Sequence, residues 1–134
     1  MTNTIDRSAR VGVITDQTGP LSFMGIANVN VAKMVIDDIN SRGGLLGRPI
    51  ELFLEDSATD DDVAVAAASR LVAADVDVVV GGIYSSTRQA IKGPVVDDAR
   101  KLYIYPEQYE GQESDPLIFC TGPVPAQQVD PLIP

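Results

Sequence analysis

The stretch Val76 to Arg88, VDVVVGGIYSSTR, constrains the fold more than any other part of the sequence. Val76, Val78, Val79 and Val80 are apolar and β-branched, interrupted only by Asp77. That is the composition of a strand buried on both faces of a parallel sheet. Gly81-Gly82 ends the run and lets the backbone turn sharply, leaving room for something to approach. Ser85, Ser86 and Thr87 follow, and a helical pattern then runs from Arg88 to Arg100. A strand, a glycine pair, hydroxyls and a helix start together place free N–H groups at the carboxyl edge of a sheet. Such a pocket suits an anion, a carbonyl or an amide. The same residues also suit a plainer role, with Ser85 or Ser86 capping the helix.

The rest of the chain repeats this strand and helix alternation. Arg10 to Thr15 reads as a first strand, and Asp16 to Pro20 as a loop, because Gly19-Pro20 breaks both regular structures. Ala27, Val31, Met34, Val35 and Ile39 recur at helical spacing between Met24 and Asn40, and Gly43-Gly44 closes that helix. Ile50 to Glu55 is a second strand. Asp60-Asp61-Asp62 opens a second helix reaching about Ala74, where acidic residues interact favourably with the helix dipole. They do not form a metal loop, which needs ligands spaced around a turn. Gly93-Pro94 should kink the third helix or divide it in two. Leu102 to Tyr105 and Leu117 to Cys120 read as a fourth and a fifth strand, and Gln127 to Ile133 scarcely begins an element. The order predicts an α/β domain, an open, doubly wound parallel sheet with helices on both faces, occupying residues 1–134. No internal repeat or linker divides it.

Ligands on such sheets sit beyond the carboxyl ends of the strands. Three loops should converge there: Asp16 to Gly25, Ile83 to Thr87, and Pro106 to Gly111. They bring hydroxyls, amides, aromatic rings and one carboxylate, Glu107, which is recognition chemistry. Composition narrows the classes further. A formal charge of −9 over 134 residues argues against nucleic acid and anionic membrane surfaces. Met1 to Arg7 lacks the apolar centre of a signal peptide, no run is long enough to span a membrane, and the single Cys120 excludes an intramolecular disulfide. An enzyme is disfavoured. The chain has no histidine for a Ser–His pair, and no Gly-x-Gly-x-x-Gly turn follows the first strand. No pair of carboxylates is placed together for acid–base work. No cofactor and no metal are expected.

Longer segments carry a resemblance. They are Thr18-Gly19-Pro20, then Asp37-Asp38-Ile39-Asn40 with Gly43 to Ile50 (GGLLGRPI). Next come Gly81 to Arg88 (GGIYSSTR), and Tyr105 to Glu113 (YPEQYEGQE). With Thr121-Gly122-Pro123 and Pro125 to Gln128, the chain resembles the first lobe of type I periplasmic binding proteins. That group includes branched-chain amino-acid, urea and short-amide receptors, and the YPEQYEGQE segment points to the urea and amide branch.

The resemblance implies a ligand held between two closing lobes. It assigns ligand contact to Ser85, with Tyr84 and Ser86 beside it, and to Tyr105, Pro106, Glu107 and Gln108 on the loop after the fourth strand. Ile83-Tyr84 stands where amide receptors have an aromatic one place earlier, which bears on whether Tyr84 faces the pocket. Glu107 stands where branched-chain receptors have a small residue, so it should select ligands bearing N–H donors. The family's proteins run to roughly 300 residues in two lobes, so this chain should span the first lobe and end where the chain crosses into the second. The implied function is the solute-binding lobe of an ABC-importer receptor for a small amide, urea-like compound or amino acid. Its partner would be the importer's membrane permease, its compartment the periplasm. The alternative is a cytoplasmic amide sensor of the same fold. A lobe lacking its companion should bury its apolar surface incompletely around Leu117 to Phe119 and Leu132-Ile133, and self-associate.

Overall fold

The computed structural model describes residues 7–133. Met1 to Asp6, most of the stretch read above for a signal peptide, and the closing Pro134 lie outside the described residues. Five strands form one parallel sheet in the order β2-β1-β3-β4-β5. They are β1 (Ala9–Thr15), β2 (Ile50–Asp56), β3 (Val78–Gly81), β4 (Leu102–Tyr105) and β5 (Ile118–Cys120). The helices are α1 (Ser22–Ser41), α2 (Asp61–Ala73), α3 (Ser85–Lys92) and a short α4 (Pro125–Gln128). From β1 the chain moves outward to β2, then crosses back over β1 to reach β3. Right-handed crossovers therefore put α1 on one face, and α2 with α3 on the other. The doubly wound α/β fold is present.

The two faces are unequally covered. Ala64, Ala67, Ala68 and Leu71 of α2 recur at spacings of three and four, and all are buried against the sheet. Alanine permits a close approach, and the Leu71 side chain fills the place where a Cβ on Gly12 would sit, 2.8 Å away. Burying a leucine of this kind contributes about 2 kcal/mol. Ile14, Val79, Ile91, Val95, Val96, Tyr103, Tyr105 and Ile118 complete the same core. On the opposite face α1 packs mainly on β1 and β2. The alternate residues Val78, Val80, Leu102 and Ile104 are half-buried there, and Phe119 is 57% exposed. The expectation that β3 is buried on both faces therefore holds on one face only, because no described element lies over β3 to β5 on the α1 side. Leu132 and Ile133 are exposed as well, in the 3-10 turn and tail that end the described chain.

One local expectation holds and another needs correction. The third helix is divided at Gly93-Pro94 into two pieces, α3 ending at Lys92 and a π-helical segment, Gly93–Asp98, following it. Proline has no N–H for an α-helical bond, and the widened turn accommodates that loss. Neither Ser85 nor Ser86 caps α3. The N-cap is Tyr84, with no side-chain cap bond, so both serines lie in the first turn. Asp60 does cap α2, accepting from the Asp62 and Val63 N–H groups at 2.9 and 3.0 Å.

Candidate functional site

The turn after β3 is fixed from both sides. A Cβ on Gly81 would lie 1.8 Å from the Ile14 carbonyl oxygen, and φ there is +132°, so only glycine fits. From β4, the buried Tyr103 hydroxyl donates to the Gly81 carbonyl at 3.0 Å, and the buried Tyr105 hydroxyl donates to the Ile83 carbonyl at 2.8 Å. Burial raises the pKa of both phenols, so they remain donors. With residues 81 to 83 held, α3 starts at Ser85. Its first helical bond runs from the Arg88 N–H to the Tyr84 carbonyl at 3.0 Å. The N–H groups of Ser85, Ser86 and Thr87 precede that bond and lack intrahelical partners.

Across from this helix start stands the loop after β4. It is pinned by the Thr121 N–H on the Tyr105 carbonyl at 3.0 Å and by Gly122, whose missing Cβ leaves room for the Glu107 carbonyl. Between helix start and loop lies a cleft of about 390 Å³, walled by Ile83, Tyr84, Ser85, Gln108, Tyr109 and Glu110, with Pro125, Gln128 and Val129 at its rim. Beneath it lies Arg88, its side chain only 6% exposed. The guanidinium packs against the Tyr105 and Tyr109 rings, 5.0 and 5.2 Å from their centroids, and the two rings meet edge to face beside it. It donates to the Glu110 carboxylate at 3.1 Å and to the Ser85 hydroxyl at 3.4 Å, while its buried Nε has no partner. The neighbouring Ser85 hydroxyl, the residue's own backbone N–H and Arg88 bring the Glu110 carboxyl down to about 2. Glu110 is thus an anion throughout the neutral range, with most of its side chain in water.

The structure brings together Tyr84, Ser85 and Gln108 of the residues expected at the site. The others stand apart from the cleft wall. Ser86 turns toward α2 and donates to the Asp61 carboxylate at 3.3 Å, beside Thr87 at 3.1 Å. Tyr105 is buried and supports the turn from below. Pro106 borders a separate apolar groove between α1 and β3, with Val31, Val35 and Val80. Glu107 does not line the cleft; the carboxylate that does is Glu110, three residues on. Sequence reasoning missed Arg88, Tyr109 and Glu110. Arg88 was detectable, since it lies three residues after Ser85 and so on the same side of a helix. No comparable signal distinguishes Glu110 from Glu107 within an irregular loop. The third loop expected here, Asp16 to Gly25, stays on its own side of β1. There the buried Asp16 carboxylate accepts from Ser57 and Thr59. Among the described residues no group of three or more His, Cys, Asp or Glu is placed to hold a metal ion.

Comparison with known proteins adds three findings. Residues 8–134 match the model of a family described as periplasmic binding protein. The Leu/Ile/Val-binding protein of Escherichia coli K12 is 30% identical over 97 residues, which is 72% of this chain and 26% of that protein. The Leu/Ile/Val-binding protein BraC3 of Rhizobium johnstonii is 36% identical over 75 residues, or 56% of this chain and 20% of that one. This chain therefore spans about a quarter of the length of the curated relatives it matches. Among solved structures, a branched-chain amino acid transporter substrate-binding protein from Streptococcus pneumoniae, in complex with isoleucine, superposes with a TM-score of 0.77 at 24% identity. It covers 86% of this chain and 34% of its own. A branched-chain amino acid transporter structure from Rhodopseudomonas palustris gives 0.76 at 23% identity, covering 90% and 34%. At these identities the two structures speak to the fold alone.

Proposed function

Since this chain belongs to the periplasmic binding protein family, we propose that it forms the first lobe of a receptor that delivers a small amino acid, or a short amide of similar shape, to an ABC importer. One observation carries the reading. Ser85, at the α3 start, and the Glu110 carboxylate line a single cleft at the carboxyl edge of the sheet and lie side by side in it. A helix start and a fixed anion lining one cleft suit a solute bearing both an acceptor group and N–H groups. Ile83, Tyr84 and Val129 add apolar surface for a short side chain. The names of the relatives, Leu/Ile/Val-binding and branched-chain transport, support an amino acid ahead of urea. The role is binding, not catalysis, on the periplasmic side, with the importer's permease as partner. The cleft is open on one side, so a lone lobe surrounds only part of a solute and binds it weakly.

Saturation-transfer NMR detects such weak binding. Leucine, isoleucine, valine, acetamide and urea are titrated into the chain beside glucose and adenosine. Amino acids and short amides should receive magnetisation and the controls should not. Ser85→Ala should weaken the best solute by about 1 kcal/mol, roughly fivefold, through one lost hydrogen bond. Equal response from all compounds, or no effect of Ser85→Ala, contradicts the proposal.

A further inference from the structure

Arg88 and Lys92 lie four residues apart on α3, so their side chains leave the helix on one face. Each meets a glutamate of the loop after β4. The Arg88 guanidinium donates to the Glu110 carboxylate at 3.1 Å, and the Lys92 ammonium donates to Glu113 Oε1 at 3.4 Å. Between the two glutamates the backbone turns at Gly111 and Gln112, both at positive φ, +90° and +64°. Glutamine seldom adopts that conformation. The two ion pairs differ in setting. Glu110 keeps 66% of its side chain exposed, whereas Glu113 keeps 9% and Lys92 25%. Glu113 Oε1 also accepts the Ser114 and Asp115 N–H groups, at 3.1 and 3.2 Å, in the turn that leads into β5. Neither Lys92 nor Glu113 lines the cleft.

We infer that Lys92 and Glu113 are positioning residues, a remote tie that seats the loop after β4 on α3 and so sets where Tyr109 and Glu110 stand in the cleft. The consequence for binding rests on the reading of the cleft as a solute site; the tie itself does not. Backbone bonds already fix the two flanks of the loop, the Thr121 N–H on the Tyr105 carbonyl at 3.0 Å and the Tyr109 N–H on the Pro123 carbonyl at 3.3 Å. Between those anchors the loop is held to the helix by charge. Removing one partner of a nearly buried pair leaves the other charge unpaired. The loop relieves that cost by lifting from α3 and admitting water. Tyr109 and Glu110, three and four residues before Glu113, move with it.

Hydrogen exchange of the whole chain reads the tie without any solute. Amides of the loop report its local opening, and amides of β1 and β3 report unfolding of the domain. Lys92→Met keeps the length of the apolar stem and should speed exchange at Tyr109, Ser114 and Asp115 roughly fivefold, as for one lost hydrogen bond, with β1 and β3 unchanged. Lys92→Arg should preserve the native pattern. Glu113→Gln retains an acceptor for the Ser114 and Asp115 N–H groups and removes only the charge, so it should match Lys92→Met. The double variant should exchange no faster than either single one, because both remove the same interaction. Leucine affinity, from the saturation-transfer titration, should fall severalfold in each single variant and stay native in Lys92→Arg. Native exchange in both single variants, a rise shared by β1 and β3, or additive effects in the double variant overturns the tie. A loosened loop with native leucine affinity overturns its positioning role. A loosened loop in the variants of a chain whose native form takes no amino acid or short amide sustains the tie and defeats the receptor reading instead.

Discussion

Glu110 and Ser85 show how a single side chain can be decided by its surroundings and not by its own identity. Both Glu107 and Glu110 are loop glutamates, yet only Glu110 meets a buried cation. Its lowered pKa has a consequence for stability. A carboxyl held below its ordinary value of 4.5 favours the folded state above that value, and the contribution is lost as pH falls toward about 2. Urea unfolding between pH 6 and about 2 should therefore show the native chain losing stability through this window faster than Glu110→Gln does. Parallel pH dependence would mean that the carboxylate gains nothing from Ser85 and Arg88. Asp56 contributes to acid sensitivity too. Burial pushes its carboxyl up, but the Thr18 hydroxyl and the N–H groups of Ala58, Thr18 and Gln17 outweigh that and leave it lowered. Comparing the two chains, which share Asp56, isolates Glu110.

Elements were far more legible in the sequence than side-chain directions. Each strand was read to within about two residues, because β-branched runs bounded by Gly, Pro or Asp leave little choice. Asp60 to Asp62 marked the α2 start through the helix dipole, and the structure adds the Asp60 side-chain cap. What the sequence did not disclose is how elements lean on one another. The serines became first-turn residues because Tyr105 fixes the Ile83 carbonyl, and no periodicity in Ile83 to Thr87 announces that. The α1 entry is another such case. Gly25 lies in the first turns of α1, where a Cβ would come within 1.9 Å of the Asp16 carbonyl oxygen. Nothing in a helical pattern flags that contact. Gly25→Ala adds helix propensity but forces α1 away from β1, so it should destabilise by about 2 kcal/mol or more. A rise in thermal midpoint would show that α1 can shift freely.

At the scale of the whole molecule, the uneven cover of the sheet is the dominant feature. Phe23, at 71% exposure, joins Ile26, Val31, Met34 and Val35 along α1, and Phe119 continues the apolar surface on β5. Surfaces of this kind drive association. Light scattering during size-exclusion chromatography at moderate salt, which screens the −9 charge, should find dimers or larger species at micromolar concentration. Val31→Lys with Val35→Glu should return monomers, and a monomeric native chain would show that the face is tolerated in water. Such association need not involve the cleft, since the apolar groove is lined by α1, β1 and β3, and the cleft by the α3 start and the loop after β4. The central claim, that the cleft is where a small solute sits, is tested most directly by a crystal structure of the chain soaked with leucine. The account predicts the amino acid between Ser85 and Glu110, with its ammonium group on the Glu110 carboxylate; leucine seated instead in the groove between α1 and β3, with the cleft holding only water, would contradict it.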